Sequence, residues 1–458
     1  MSSELQKAWV CTVCGYVHYG PEPPEECPVC GADAGAFELE AAPQDASAGG
    51  DGSSQPITIV IIGAGIAGVS AAEACRQASP DSDILLISSE KELPYYRLNL
   101  TRFLAGEISA EQLPLHSQEW YTQNRIDLHL GLEVLAIHPE QKTVETSSGD
   151  SFVYDRLVLA TGAHPFVPPV TGSQLGKVFT LRTLQNALDI LKECSGAEVV
   201  CIGGGLLGLE TAGALVRRGA KVTILEALNW LMPRQLNQAA SSIFQAYIER
   251  IGIRVRTAVK VKDLQGSTNV SAVSLEDGTL LPAGMVIFSA GVRSNLTLAR
   301  NANLATNLGV AVLDGMSTSD ADIFAAGDVA EHAGVMYGTW LPAQAQGNIA
   351  GTSAAGRSAA FRRVPPSAVL KVLGIDLFSA GRITAEVEDL WIEESGIDNY
   401  KGFLFHQGAL VGAILLGDAS GSTEVKKAIE NSLDCAKFLA RNPEAGAVLE
   451  YLVKTVSA

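Results

Sequence analysis

Residues 57–77 read ITIVIIGAGIAGVSAAEACRQ. The first six residues are apolar apart from Thr58 and rich in β-branched types, as a buried strand requires. Gly63, Gly65 and Gly68 then punctuate a turn, and an Ala-rich helical pattern follows. Strand, glycine turn and helix in that order form the context of a dinucleotide site. Gly63 permits the tight turn, Gly65 lets the backbone approach a pyrophosphate, and Gly68 lets helix and strand pack closely. The helix N-terminus then faces the anion. The next apolar run, DILLISSE, ends at Glu90, 22 residues after Gly68. An acid there can accept hydrogen bonds from a ribose hydroxyl pair.

The pattern recurs in AEVVCIGGGLLGLETAGALVRRGAKVTILEA (197–227), with Gly203, Gly205, Gly208 and a strand ending at Glu226. Glu226 would repel a 2′-phosphate and bond a free 2′-hydroxyl, which favours NAD over NADP. Arg217, Arg218 and Arg234 are nearby cations that weaken that preference. Two sites in one chain imply two nucleotides that meet, a flavin and a nicotinamide. The competing reading is a duplication with one silent site, but both glycine patterns are complete. YDRLVLATGAHPFVPPVTG (154–172) reads as a strand closing on Ala160-Thr161-Gly162 before a proline-rich crossover. TSDADIFAAGDVAEH (318–332) reads as a strand ending at Gly327-Asp328, where a carboxylate can hold a sugar or ribityl hydroxyl.

At the front stands CTVCGYVHYGPEPPEECPVC (11–30), two Cys-x-x-Cys pairs with 12 residues between them. Four thiolates so spaced converge on one metal ion more naturally than they form disulfides, which need an oxidising compartment. Zinc would make the knuckle a structural ribbon; iron would make it a one-electron centre. Cys75, Cys194, Cys201 and Cys435 are scattered singly and read as small core residues. The chain has 458 residues, 47% hydrophobic and 18% charged, enough for about three domains. A net charge of −17 disfavours nucleic acid and anionic membrane as partners. No apolar run reaches the roughly 20 residues of a membrane span, and MSSELQKAWVCTVC has no signal-peptide core. A reducing cytoplasm is the expected location.

The composition shifts mark out the organisation. Residues 1–40 form the metal knuckle, and AAPQDASAGGDGSSQP (41–56) reads as a flexible linker. A first nucleotide domain spans 57–167, a second 168–289, the first resumes over 290–365, and a tail occupies 366–458. The tail shows strand-like stretches and one helix-like segment, TEVKKAIENSLDCAKFLARN (423–442). The fold class expected is α/β, with two Rossmann-like dinucleotide-binding domains, the small N-terminal knuckle and an α+β C-terminal domain.

GAGIAGVSAAE, ATGAHP, GGGLLGLE and DIFAAGDVAE, in that order, resemble the two-dinucleotide-domain flavoprotein reductases of glutathione-reductase-like architecture. ISSEKELPYYRLNLTRFLAG (87–106) and MPRQL (232–236) look most like NADH:rubredoxin reductases and the flavin domain of assimilatory nitrite reductases. That resemblance implies FAD at Gly63, Gly65, Gly68, Glu90, Arg97, Thr161, Gly162, Gly327 and Asp328. It implies NADH at Gly203, Gly205, Gly208, Glu210, Glu226 and Gly291. Arg97 would lie near the flavin or its phosphates, Glu210 near the nicotinamide end, and Trp340 where the chain passes the flavin; an ordinary core role suits Trp340 equally. The knuckle is similar to the short rubredoxin domain of rubrerythrins, which implies one iron on Cys11, Cys14, Cys27 and Cys30, covered by Tyr16 and Phe37. No Cys-x₄-Cys follows the first glycine turn, so a disulfide substrate is not expected.

The resemblance implies an NAD(P)H-dependent flavoprotein oxidoreductase: hydride from NADH to FAD, then single electrons to the iron and on to an external acceptor. A diiron oxygen- or peroxide-reducing protein is one such acceptor. No side chain is assigned a general acid or base role; His18, His116, His164 and His332 read as structural. Two rivals remain at this stage. One is a flavin NADH oxidase or diaphorase with a structural zinc knuckle. The other is a nucleotide-sensing, non-enzymatic interaction protein.

Overall fold

The computed structural model describes residues 7–11, 16–25, 27, 34–39, 56–362 and 367–456. The expected linker therefore lies almost wholly outside the described residues. The chain gathers into two compact units. The first takes in residues up to Asn99, Ser109–His164 and Val292–Arg363; the second takes in Leu100–Ile108, Pro165–Gly291 and the chain from Val364. The stretch 100–108, read from sequence as part of the first nucleotide domain, thus clusters with the second unit.

In the first unit TIVII forms the strand Thr58–Ile62 at the centre of a five-stranded sheet. The order is Ile323–Ala325, Arg156–Leu159, Thr58–Ile62, Asp83–Ile87, Ile126–His129, and every pairing is parallel. Parallel strands are covered on both faces and so read as continuous apolar runs; Ile59, Val60 and Ile61 are fully buried. The chain steps from the central strand to Asp83–Ile87 on one side and returns to Arg156–Leu159 on the other. That reversal leaves a crevice at the strands' carboxyl ends.

Two helices of this unit, Ile66–Ala78 and Trp340–Ala354, meet through small residues. A Cβ on Gly347 would lie 2.3 Å from the Ala67 carbonyl oxygen, and one on Gly351 would lie 2.2 Å from that of Ala71. The Cys75 thiol donates to the Gly351 carbonyl at 3.3 Å. The described part of the N-terminal module is a three-stranded antiparallel sheet, ordered Val17–Tyr19, Ala8–Cys11, Phe37–Leu39.

The second unit repeats the parallel design, ordered Val178–Thr180, Met285–Phe288, Glu198–Ile202, Lys221–Leu225, Arg254–Arg256. Its tail is a five-stranded antiparallel sheet, ordered Ser367–Val372, Ile375–Gly381, Ala409–Gly417, Tyr400–His406, Asp389–Ser395. Side chains join tail to nucleotide part: Asn237 Nδ2 donates to Tyr400 Oη at 2.6 Å, and Tyr247 Oη donates to the Leu373 carbonyl at 3.1 Å. The helix expected over 423–442 is two helices, Ser422–Glu430 and Ala436–Leu439. Ser432 adopts a left-handed φ of 49°, which ends the first helix before the second begins. A third helix, Ala445–Val456, was not read from the sequence. Among the described residues, no helix is long and apolar enough to cross a membrane.

The contact of the two first-unit helices leaves no room for a side chain. Gly351→Val should therefore lower stability by about 1–3 kcal/mol, read as a lower midpoint in denaturant. An unchanged midpoint would refute the close approach.

Candidate functional site

The two glycine turns make the same set of close contacts. Gly63 has φ of +103° and Gly203 of +118°, both in the region glycine favours. A Cβ on Gly63 would sit 2.2 Å from the Ala160 carbonyl oxygen, and one on Gly203 would sit 2.4 Å from that of Ser289. Strand ends from both sides of each sheet reversal thus close on one glycine. Gly68 and Gly208 are equally tight, with a Cβ falling 1.8 Å and 2.1 Å from the carbonyl oxygens of Gly63 and Gly203. Gly65 and Gly205 differ: a Cβ on either would meet no atom within 4 Å. Each precedes its helix without a side-chain cap. First-turn N–H groups lack intrahelical partners, so each turn is a cradle whose open front suits a pyrophosphate.

The acids at the second strands are held differently. Glu90 accepts from Tyr95 Oη at 2.7 Å and pairs with Arg97 at 2.5 Å. The Arg97 guanidinium lies 5.1 Å from the Tyr95 ring centre. Burial opposes its charge, but Tyr95, Glu90 and Asp328 outweigh burial and hold it above its ordinary value. Glu226 is buried, its carboxylate accepting from Gly204 N and Leu228 N, both at 2.8 Å. A carboxylate has about four lone-pair sites, so both acids retain capacity for a hydroxyl. Arg217 pairs with Glu107, and Arg218 Nε donates to the Leu104 carbonyl at 2.7 Å. Those two cations are engaged by residues 104–107 rather than by Glu226.

Asn295 joins the next two segments of the first unit. Its Nδ2 donates to the Thr161 carbonyl at 2.7 Å, and its N–H donates to the Gly162 carbonyl at 3.0 Å. Gly327, with φ of +80°, donates its N–H to Gln346 Oε1 at 2.9 Å, which fixes the turn carrying Asp328. The Asp328 carbonyl accepts from Ser294 Oγ at 2.6 Å. Gly291, with φ of +96°, accepts at its carbonyl from Phe166 N at 2.8 Å.

Thr101 Oγ1 donates to Glu210 Oε2 at 3.0 Å. Glu210 keeps some exposed surface, yet its carboxyl lies deep among protein atoms. Desolvation pushes it up to about 7, against the opposing pull of the Thr101 hydrogen bond.

In the knuckle Cys11, Cys27 and Phe37 are buried together, with Trp9, Tyr16, Tyr96 and Leu98 packed against them. Tyr16 meets Phe37 edge-on, with ring centres 6.5 Å apart. Cys14 and Cys30 lie outside the described residues, and among the described residues no three potential ligands cluster. Cys75, Cys194, Cys201 and Cys435 are buried, and burial raises each thiol: to about 12 for Cys75 and Cys201, and about 11 for Cys435. They are core residues, not thiolates poised for exchange. Of the histidines, His116 bonds Glu73 at 2.6 Å, His164 bonds Asn295 at 2.7 Å and His332 bonds Asp314 at 2.8 Å.

A pyridine nucleotide-disulphide oxidoreductase model matches residues 57–359. The chain belongs to that family. It carries two Rossmann-like folds and a rubredoxin-like front module. A rubredoxin NAD+ reductase C-terminal domain matches 366–433, and a rubrerythrin rubredoxin-like domain matches 9–38. The assimilatory nitrate reductase electron transfer subunit of Bacillus subtilis is 30% identical over 400 residues, 85% of this chain and 52% of its own. This chain thus spans about half the length of that relative. The NADH-rubredoxin oxidoreductase of Clostridium acetobutylicum is 32% identical over 375 residues, 82% of this chain and 94% of its own. The crystal structure of NADH:rubredoxin oxidoreductase from that organism aligns with a TM-score of 0.73 at 31% identity, covering 85% of this chain and 100% of that one. The family's name includes disulphide chemistry, yet the one cysteine on the first nucleotide helix is Cys75, whose thiol is buried and pushed up to about 12 by desolvation.

Three features had escaped sequence reasoning: the Gln346 cap on Gly327, the Thr101–Glu210 bond and the grip of Tyr95 on Glu90. All span long or irregular separations that no periodicity encodes. Glu210 generates a pH prediction. Its folded value is raised, so the folded state holds the proton that the unfolded state has lost above about 4.5. Stability from this group therefore falls as pH rises from about 4.5 to about 7. Glu210→Gln should flatten that part of the melting-temperature profile between pH 5 and 8; an unchanged slope would exclude the assignment.

Proposed function

We propose that this chain is an FAD-dependent NADH:rubredoxin oxidoreductase that carries its own rubredoxin. The observation that carries the reading is the pair of complete, open glycine cradles on one chain with a buried cysteine knuckle. The residues present fit the groups. Gly63, Gly65 and Gly68 would hold the FAD pyrophosphate, and Glu90 the adenosine ribose. Arg97, held charged by its neighbours, would neutralise the flavin or its phosphates. Thr161, Gly162, Gly327 and Asp328 would close on the ribityl chain. Gly203, Gly205, Gly208, Glu226 and Gly291 would hold NADH, with Glu210 towards the nicotinamide end. Cys11, Cys14, Cys27 and Cys30 would hold one iron.

When bound, the flavin accepts two electrons as hydride and releases them singly, which is what a one-electron iron centre needs. The protein positions and tunes. Arg97 supplies positive charge, and Phe37 and Tyr16 exclude water from the cysteines. No side chain is needed as general acid. Zinc has no accessible redox step and would leave the fusion without purpose. The final acceptor is an external electron-accepting protein, of which a diiron oxygen- or peroxide-reducing protein is one chemical type. The 41–56 segment would act as tether.

A visible spectrum before and after anaerobic NADH addition tests this. Ferric tetrathiolate absorption over flavin bands, both bleaching, is the expected result. Flavin bands alone with zinc by elemental analysis would overturn it. Coenzyme choice is a separate outcome. Glu226→Ala should reduce the NADH-over-NADPH ratio of kcat/KM about tenfold or more, ~1.4 kcal/mol. An unchanged ratio would remove Glu226 from ribose recognition.

A further inference from the structure

The four residues Tyr95–Leu98 divide their side chains between two neighbours. Tyr95 is bridged to Pro114 in antiparallel fashion, and Tyr96 N donates to the Leu113 carbonyl at 2.9 Å. Arg97 then opens the short 3-10 turn Arg97–Asn99, so the chain leaves the bridge at Tyr95 and turns, and the contacts show which way each side chain goes. Tyr95 and Arg97 turn together onto Glu90, with Asp328 close enough to support the Arg97 charge. Tyr96 and Leu98 turn the other way and pack against Cys11, Cys27 and Phe37. Tyr96 also stacks on Trp340, with ring centres 5.5 Å apart and planes 25° from parallel. Trp340 opens the helix Trp340–Ala354, whose Gln346 caps the Gly327 turn.

We infer that Tyr96 and Leu98 form a seat on which this chain's own cysteine knuckle docks. Tyr96, clamped by Trp340, sets how far the cysteines stand from the first nucleotide cradle. This rests on the proposed function and adds the docking geometry to it. Both residues are positioning residues. Neither belongs to the proposed cofactor contacts, which lie on Tyr95's and Arg97's side of the strap. The occupant is the knuckle itself: Cys11, Cys27 and Phe37 meet Tyr96 and Leu98 in a contact that is aromatic and apolar. Charge alone would favour a basic counter-patch for so acidic a module. Residues 1–40 contain Lys7 as their one Lys or Arg, against Glu4, Glu22, Glu25, Glu26, Asp33, Glu38 and Glu40. Two apolar side chains form a seat that holds without opposite charge.

The test uses the full chain with Leu98→Glu, which sets a charge against an acidic module, and separately with Tyr96→Ala. Small-angle scattering on zinc-loaded protein reads docking without any electron transfer. Release of the module from the seat should enlarge the particle in both variants. Stopped-flow spectroscopy on iron-loaded protein then reads function. Flavin bleaching by NADH should stay within about twofold, while iron bleaching should slow about tenfold or more as a fixed contact becomes a tethered encounter. Unchanged scattering in both variants would overturn the seat. Enlarged particles with unaltered iron bleaching would reduce it to a packing contact and overturn its positioning role. A knuckle that binds no iron would sink the proposed function, and the scattering result on zinc protein would still decide the seat.

Discussion

The organising constraint is a steric one: at Gly63 and Gly203 a carbonyl oxygen from a neighbouring strand end occupies the place of a Cβ. Each contact pins the strand that enters the turn to the strand across the sheet reversal. Gly68 and Gly208 then pull the helix down onto the same turn. With both close approaches made, the helix start is aimed along the crevice and its first N–H groups face outward. Any side chain at these four positions must move backbone, not a flexible tip. The sheet order, the helix direction and the anion-binding front are therefore one structural commitment, made twice.

The two copies diverge where identity is conferred. Glu226 is fixed by two backbone N–H groups of its own turn, so its position does not depend on distant segments. Glu90 is fixed by Tyr95 and Arg97, residues of the following strap. The first cradle is thereby coupled to the strap and, through Asp328, to the return of the chain 231 residues after Arg97. Charge of both signs meets there, Glu90 and Asp328 each acting on Arg97, while at the second cradle Glu226 is held by backbone N–H groups. A site built around a guanidinium suits a group that stays bound. A site built on backbone N–H groups suits one that exchanges.

How much was legible follows the physics of each signal. Glycine turns are local and sterically absolute, so Gly63 to Gly68 and Gly203 to Gly208 could be read directly. Parallel strands such as TIVII and EVVCI are buried on both faces, and their continuous apolarity announced them. The tail was read less well, because Ser432 ends its helix by a left-handed turn that a residue such as glycine would have signalled and serine does not. Residues 100–108 look continuous with the first nucleotide domain, yet Thr101, Leu104 and Glu107 bond to Glu210, Arg218 and Arg217. Nothing in a hydrophobic pattern identifies which unit an amphipathic turn will join. The acidic knuckle's apolar seat was hidden for a related reason: Tyr96 and Leu98 flank Arg97 where a bridge at Tyr95 gives way to the 3-10 turn Arg97–Asn99, an irregular stretch that no periodicity announces.

That seat bears on how an acidic module can serve two clients. Electrostatic attraction is screened over about 8–10 Å at physiological salt, whereas an apolar contact is not weakened in that way. A knuckle held by Tyr96 and Leu98 stays seated at the ionic strength of a cell. An apolar contact of this kind needs none of the module's carboxylates. They can then steer an encounter with an outside partner of opposite charge, where complementarity governs on-rate more than affinity. Apolar contact inward and charge outward would separate receiving an electron from delivering it. A single 40-residue module could do both without one interaction competing with the other.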